Sequence, residues 1–336
     1  MNLFENYPLK HLNTFNIDVK AKYFIEVFNE NELIELIKEI HGQKNILILG
    51  AGSNILFTKD YDGFIIKYKS SDIKLLLEND SNVIIQADAG VIWDDLVSYT
   101  VEKNYYGIEN LSLIPGTAGA APVQNIGAYG AEISNVIDYV EGYFLDKNEK
   151  KIFYRDECLF NYRDSIFKNE LKNKFIITSV VLRLKKEKEI NLSYRDLQNY
   201  FQGRDYHEIS IQEVRDAVIN IRKSKLPDYT KLGNAGSFFK NPEISFTHLE
   251  LIRKEYPDIP YHQINDKYKI PTAWLIEKCG YKGKRKGNTG TYEKQALIII
   301  NYGNATGDDI KNFADEIKLA VKNKFNIDLE YEVNII

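Results

Sequence analysis

Cysteine is nearly absent from this chain of 336 residues: Cys158 and Cys279 stand far apart and form no Cys-x-x-Cys pair. A disulfide framework and a structural zinc site both need more sulfur, more closely spaced. Long hydrophobic runs are missing as well. No apolar stretch approaches the roughly 18 residues that span a bilayer, and the first ten residues, MNLFENYPLK, lack the apolar core of a signal peptide. Charge of one sign is also missing. Against 44 Lys and Arg stand 48 Asp and Glu, interspersed, for a net charge of −4. That excludes the broad basic field that nucleic acid or an anionic membrane would select. We therefore expect a cytoplasmic protein with no metal, nucleic-acid or membrane partner, and take it to be a monomer.

Two phosphate-binding signatures are absent too. The stretch 49-LGAGSNILF-57 joins a strand to a Gly-rich turn, but the third Gly of the dinucleotide fingerprint is missing and no helical pattern follows at once. No Gly-Lys-Ser/Thr follows either, so a Walker A loop is excluded.

What is present is ordinary globular sequence, 44% hydrophobic and 27% charged, with aromatics at 12%. The length suggests about two domains with ample core. Periodicity predicts strands at 23–28, 45–49, 64–68 and 83–87, and helices at 31–42 and 91–104. Strand-length runs rich in Val, Ile, Phe and Tyr follow at 139–145, 151–154 and 175–184. Ser210 and Glu213 form a capping box for a helix whose apolar stripe is Ile211, Val214, Val218 and Ile221. Further helices are expected at 272–280 and 308–325, strand 296–301 between them, and a closing alternating strand at 327–336. Residues 233–242 read as a small-residue loop.

The most informative run is 115-PGTAGAAPVQNIGAYG-130. Gly and Ala dominate it, so a ligand can lie close to its backbone, and its N–H groups can cradle an anion. Gln124, Asn125 and Tyr129 could read a ring edge. A run of this kind also serves as a plain turn between strands. Paired with Gly50, Ala51, Gly52, Ser53 and Asn54 it suits a dinucleotide, which has two phosphates and two ends.

These two stretches together resemble the UDP-N-acetylenolpyruvoylglucosamine reductase family, also called UDP-N-acetylmuramate dehydrogenases. The resemblance recurs in order through 13-NTFNI-17, 162-YRDSIFK-168, 225-KLPD-228, 233-GNAGSFFKNP-242, 273-AWLIEKCGYKG-283, 296-ALIIIN-301 and 329-LEYEV-333. The insertion 192-LSYRDL-197 is similar to that of the type I branch. The resemblance implies an α+β fold: a two-lobed FAD-binding domain of the vanillyl-alcohol-oxidase type, residues 1–205 with lobes of about 1–68 and 69–205. A smaller α/β substrate domain would occupy 206–325, and a strand at 326–336 would return to the flavin. It implies non-covalent FAD, NADPH as cosubstrate, and reduction of UDP-N-acetylglucosamine enolpyruvate to UDP-N-acetylmuramate for peptidoglycan.

By the same resemblance the catalytic residues are Arg163, Ser237 and Glu332. FAD contacts fall on Gly50, Ala51, Gly52, Ser53, Asn54, Pro115, Gly116, Thr117, Gly119, Ala120, Asn125, Gly127, Ala128, Tyr129 and Gly130. Substrate contacts fall on Tyr194, Lys225 and Asn241. On residue type alone, Arg163 beside Asp164 reads equally as a surface ion pair, Ser237 as a turn residue and Glu332 as a solvated strand acid. Tyr292 and Asn334 depart from the family pattern, in which many members carry a histidine and a basic residue there. A flavin oxidase of the same superfamily and a non-catalytic nucleotide-sugar binder are the alternative readings.

Overall fold

A computed structural model describes all 336 residues. The chain divides into two compact units, each built from discontinuous segments.

The first unit comprises Met1–Tyr7, Ala21–Ala51 and Asp62–Ser224. Its smaller sheet takes the strands Asn2–Pro8, Lys20–Val27, Tyr61–Tyr68 and Ile46–Ile48 in that order. Helix α1 (Glu30–Glu39) starts where the Asn29 side chain accepts the Glu32 N–H, satisfying one of the orphan donors of the first turn. It buries Leu33, Leu36 and Ile37 against Ile25, Ile66 and Ile176. The larger sheet is antiparallel: Lys150–Tyr154, Ile137–Phe144, Phe175–Lys185, Asn82–Asp88 and Ile73–Glu78. Its central strand is buried on both faces for eight residues, which explains the continuous Val and Ile run there. Helix α2 (Trp93–Glu102) packs Trp93, Leu96 and Val97 with Val83, Ile85 and Val180. A third cluster joins Ile190, Leu197 and Phe201 with Val214 and Val218, which binds α3 (Arg195–Tyr200) to α4 (Ile211–Lys225).

The second unit comprises Pro8–Lys20, Gly52–Tyr61 and Lys225–Ile336. Helix α5 (Phe246–Arg253) follows one strand of a small three-stranded sheet, and α6 (Thr272–Lys278) follows another. The main sheet runs Gly233–Ser237, Ile298–Asn301, Thr289–Thr291, Arg285–Lys286, antiparallel throughout. Helix α7 (Gly307–Phe325) buries Ile310, Phe313, Ile317 and Val321. The early segments are tied in by polar contacts. Asn301 donates to the Phe15 carbonyl at 2.9 Å, and the Asn234 N–H to the Thr14 carbonyl at 2.9 Å.

Two of the expected segments take another form. Residues 233–237 are a strand rather than loop. In the final segment only Asn334–Ile335 counts as strand, parallel to Ile55–Leu56. The side chains do alternate, with Ile327, Leu329 and Val333 buried. The backbone, however, changes partners along its length: Glu332 N–H bonds to Phe238 O, and Asn334 and Ile336 N–H to Asn54 and Leu56 O. A segment shared between two neighbours makes no regular ladder with either.

Candidate active site

In the first unit the two Gly-rich stretches meet. A Cβ on Gly50 would stand 3.1 Å from both Ala120 Cβ and Thr117 Oγ1. The loop is pinned beneath by Ala118 N–H to Val91 O at 2.8 Å and Gly119 N–H to Ala89 O at 3.0 Å. The N–H of Ala120 turns back to Thr117 O at 3.0 Å. The backbone donors of 118–120 are thus spent inside the protein, and Gly119 and Ala120 offer contact surface rather than N–H groups.

Asn125 is buried, and its side chain is also engaged: it donates to Glu132 Oε2 and Asn161 O and accepts from Ser134 N–H. It therefore shapes the loop from within. The neighbouring segment is stitched to the same loop. Ser165 Oγ donates to Val123 O at 2.6 Å, and Arg163 Nη2 donates to Gly127 O at 2.6 Å. Arg163 adopts φ +53, a left-handed conformation uncommon for a side chain of this size. The structure thus sets the guanidinium against the 115–130 loop, at Gly127.

Sequence reasoning missed two residues here. Arg215 and Arg222 lie two turns apart on α4, within the stripe read as apolar. Arg215 makes a bidentate pair with Asp94 of α2, 2.8 and 3.0 Å. Burial opposes the Asp94 charge, yet Arg215, the Leu113 N–H and Arg222 together hold its carboxyl below the ordinary range. Asp94 accepts that N–H at 2.5 Å, which anchors the entry to the 115–130 loop. Arg222 Nε is buried with no hydrogen-bond partner; burial lowers its pKa, and Tyr129 and Asp94 offset part of that. Burial also pushes the Tyr129 phenol up to about 12, so it stays a neutral donor.

In the second unit Asn54, Ser237 and Glu332 converge. Ser237 ends its strand opposite Ile298, half-buried, just after Gly236. The next residue, Phe238, accepts the Glu332 N–H at 2.9 Å. The Asn54 amide donates to the Glu332 carbonyl at 3.2 Å. Asn334 holds the same junction, its N–H and side-chain amide both donating to Asn54 O at 3.1 Å. Beneath lie Phe238 and Phe239, fully buried, with Tyr331 stacked on Phe239 at 5.6 Å. Gly52 sits at φ +67, where a Cβ would meet Leu12 O at 1.9 Å, so only glycine fits that turn.

Asn241 Oδ1 accepts the Thr272 N–H at the start of α6, 2.9 Å. Lys225 is exposed at the C-terminal end of α4, and Tyr194 is 45% exposed. Tyr292 N–H bonds to Ile298 O at 2.9 Å, beside the Ser237 strand.

Residues 227–336 match the C-terminal domain of UDP-N-acetylenolpyruvoylglucosamine reductase, and residues 21–145 match an FAD binding domain. The UDP-N-acetylenolpyruvoylglucosamine reductase of Flavobacterium johnsoniae is 44% identical over 338 residues, covering all of both chains. That of Amoebophilus asiaticus is 45% identical over 339 residues, again covering all of both. The chain belongs to the UDP-N-acetylenolpyruvoylglucosamine reductase family. Its α+β fold is shared with the reductase of Thermus caldophilus, at TM-score 0.67 and 21% identity over 99% of this chain and 98% of that one. The cofactor of this reductase family is FAD, and the small residues at Gly50, Thr117 and Ala120, which approach one another closely, are of the kind that let a ligand come near the backbone.

Proposed function

We propose that this chain reduces UDP-N-acetylglucosamine enolpyruvate to UDP-N-acetylmuramate with NADPH, a step of peptidoglycan synthesis, and that Arg163, Ser237 and Glu332 carry the chemistry. Family membership over the whole chain is the observation that carries the reaction. When bound, FAD supplies hydride, drawn from NADPH, to the terminal carbon of the enolpyruvyl group. Negative charge then develops on the adjacent carbon and spreads into the substrate carboxylate.

Arg163 offers the planar fork that matches a carboxylate. Its anchoring at Gly127 O supports a fixed charge, and a preorganised donor of this kind is worth about 3–4 kcal/mol. Ser237 delivers the proton that quenches the carbanion, a positioned acid worth roughly 10²–10⁴-fold. Glu332 polarises the carboxylate with Arg163. The tie between the Glu332 N–H and Phe238 O supports its pairing with Ser237. FAD contacts are assigned to residues of 50–54 and 115–130, with backbone donation from 50–54 and from Gly116 and Thr117. Lys225 meets the nucleotide diphosphate, Asn241 supports it, and Tyr194 covers the bound sugar nucleotide.

The enzyme is placed in the cytoplasm as a monomer, where its nucleotide substrates are. No helix is long and apolar enough to cross a membrane.

The purified protein should be yellow, release FAD on denaturation, and consume NADPH in step with the enolpyruvyl substrate. A colourless protein that takes up no added FAD would overturn the reading, as would NADPH consumption indifferent to that substrate.

A further inference from the structure

One buried side chain joins the cofactor loop to the segment that carries Tyr194, and neither motif contains it. Asn110 is 1% exposed. Its amide donates to the Tyr129 carbonyl at 2.7 Å and to the Asn191 carbonyl at 2.8 Å, spending both N–H donors on two different loops. Those acceptors fix its orientation, since the turned-over amide would aim an oxygen at two carbonyls. Its Oδ1 is buried without a partner. An unmet buried acceptor is unfavourable, so the two donations hold the side chain against that cost.

Asn191 extends the bracket. Its amide donates to Gly130 O at 2.9 Å, and its Oδ1 accepts from the Ser193 N–H and hydroxyl at 2.9 and 2.6 Å. A Cβ on Gly130 would stand 3.0 Å from Ser193 Oγ, so the chain after Tyr129 and the chain before Tyr194 are in contact. The two tyrosine rings then meet edge to face, with centroids 5.2 Å apart.

These ties matter because the segment is anchored in the core only at Ile190, with Leu192 packed against the same cluster. A cavity of about 850 Å³ is lined by Asn110 and by Ile190, Asn191, Leu192 and Ser193. Asn191 and Ser193 are polar residues beside that open cleft and have fewer packing contacts than a core strand. Their position then depends on the hydrogen bonds.

We propose that Asn110 is a positioning residue: through Asn191 it holds Tyr194 against Tyr129 and so sets the affinity for the sugar nucleotide. The inference rests on the reading of Tyr194 as the residue that covers that ligand. Steady-state kinetics of Asn110→Ala, Tyr194→Ala and the double variant test it. Each single change should raise KM for UDP-N-acetylglucosamine enolpyruvate about 10-fold, with kcat within about threefold. The double variant should be no worse than Tyr194→Ala alone, because both remove the same contact.

A purely structural role for Asn110 would give multiplicative effects, or a fall in kcat with KM unmoved, and either overturns the proposal. Should Asn110→Ala fail to hold FAD, Asn191→Ala, which is half-buried, must show the same coupling to Tyr194, or the proposal fails. Tyr194→Ala with unchanged KM would instead sink the covering role of Tyr194, and this inference with it. A raised KM in Tyr194→Ala with silent or multiplicative Asn110 and Asn191 variants overturns this inference alone.

Discussion

Gly119 shows how closely the cofactor loop rests on the sheet. Its missing Cβ would lie 2.4 Å from that of Ala89 and 3.0 Å from the Ala89 Cα. Gly119→Ala should therefore destabilise the protein by about 1–3 kcal/mol through overpacking and weaken FAD retention, read by thermal unfolding and flavin release. An unchanged Tm would mean the loop relaxes freely. Tyr129 makes a different prediction. Burial holds its phenol up to about 12, so it should not titrate between about pH 6 and 10. The pH–rate profile of Tyr129→Phe should have the same limbs as the parent, whereas a limb lost in the variant would contradict the neutral phenol. At this scale the Gly-rich stretches were legible because small residues have few other reasons to cluster. The loop-internal bonds of Asn125 were not legible, since polar type cannot say whether a side chain faces a ligand or its own loop. Arg215 and Arg222 were invisible because a charged residue inside an apolar stripe reads as the stripe's edge until its partner is seen.

At the scale of elements, the tie between α2 and α4 runs through one pair. Arg215 and Asp94 are only 10% and 26% exposed, between the surface and buried cases. Asp94→Asn should therefore cost about 1–3 kcal/mol. The folded Asp94 pKa is depressed, so the pair's contribution is present above the unfolded value near 3.9 and lost as pH falls through the lower folded value. The stability gap between parent and variant should stay level from about pH 8 to 5 and close below about pH 4. A gap that widened on acidification would refute the sign. Helix α7 offers a second check: Thr306 and Asp309 form a reciprocal cap, and Thr306→Ala should lose about 1 kcal/mol in denaturant unfolding. Helices α1, α2, α4, α6 and α7 were read because caps and the 3.6-residue period are local, whereas α3 and α5, only six and eight residues long, were missed. Strands Asn2–Pro8 and Ile73–Glu78 were missed. The second exposes Leu75, Leu76 and Leu77 nearly equally, so an edge strand with a bulge left no alternation to find.

At the scale of the molecule, the α+β class and the family were legible from motifs spread in order along the chain. The division into units was not. The resemblance implied a boundary after residue 205, whereas the compact unit runs on to Ser224, with α4 sharing a core with Ile190, Leu197 and Phe201. Residues 8–20 and 52–61 join the C-terminal unit through contacts such as Asn301 to Phe15. Sequence separations of that size leave no local trace in periodicity or composition. The unit that holds Ser237 and Glu332 also holds Asn54, while Gly50 and Ala51 belong to the other. The central claim is that Ser237 gives the proton in the second half-reaction and does nothing in the first. Anaerobic stopped-flow on Ser237→Ala separates the two. Bleaching of the flavin by NADPH should proceed at nearly the parent rate, while reoxidation by the enolpyruvyl sugar nucleotide should slow at least about 10²-fold. Equal slowing of both phases, or undiminished reoxidation, would contradict the account.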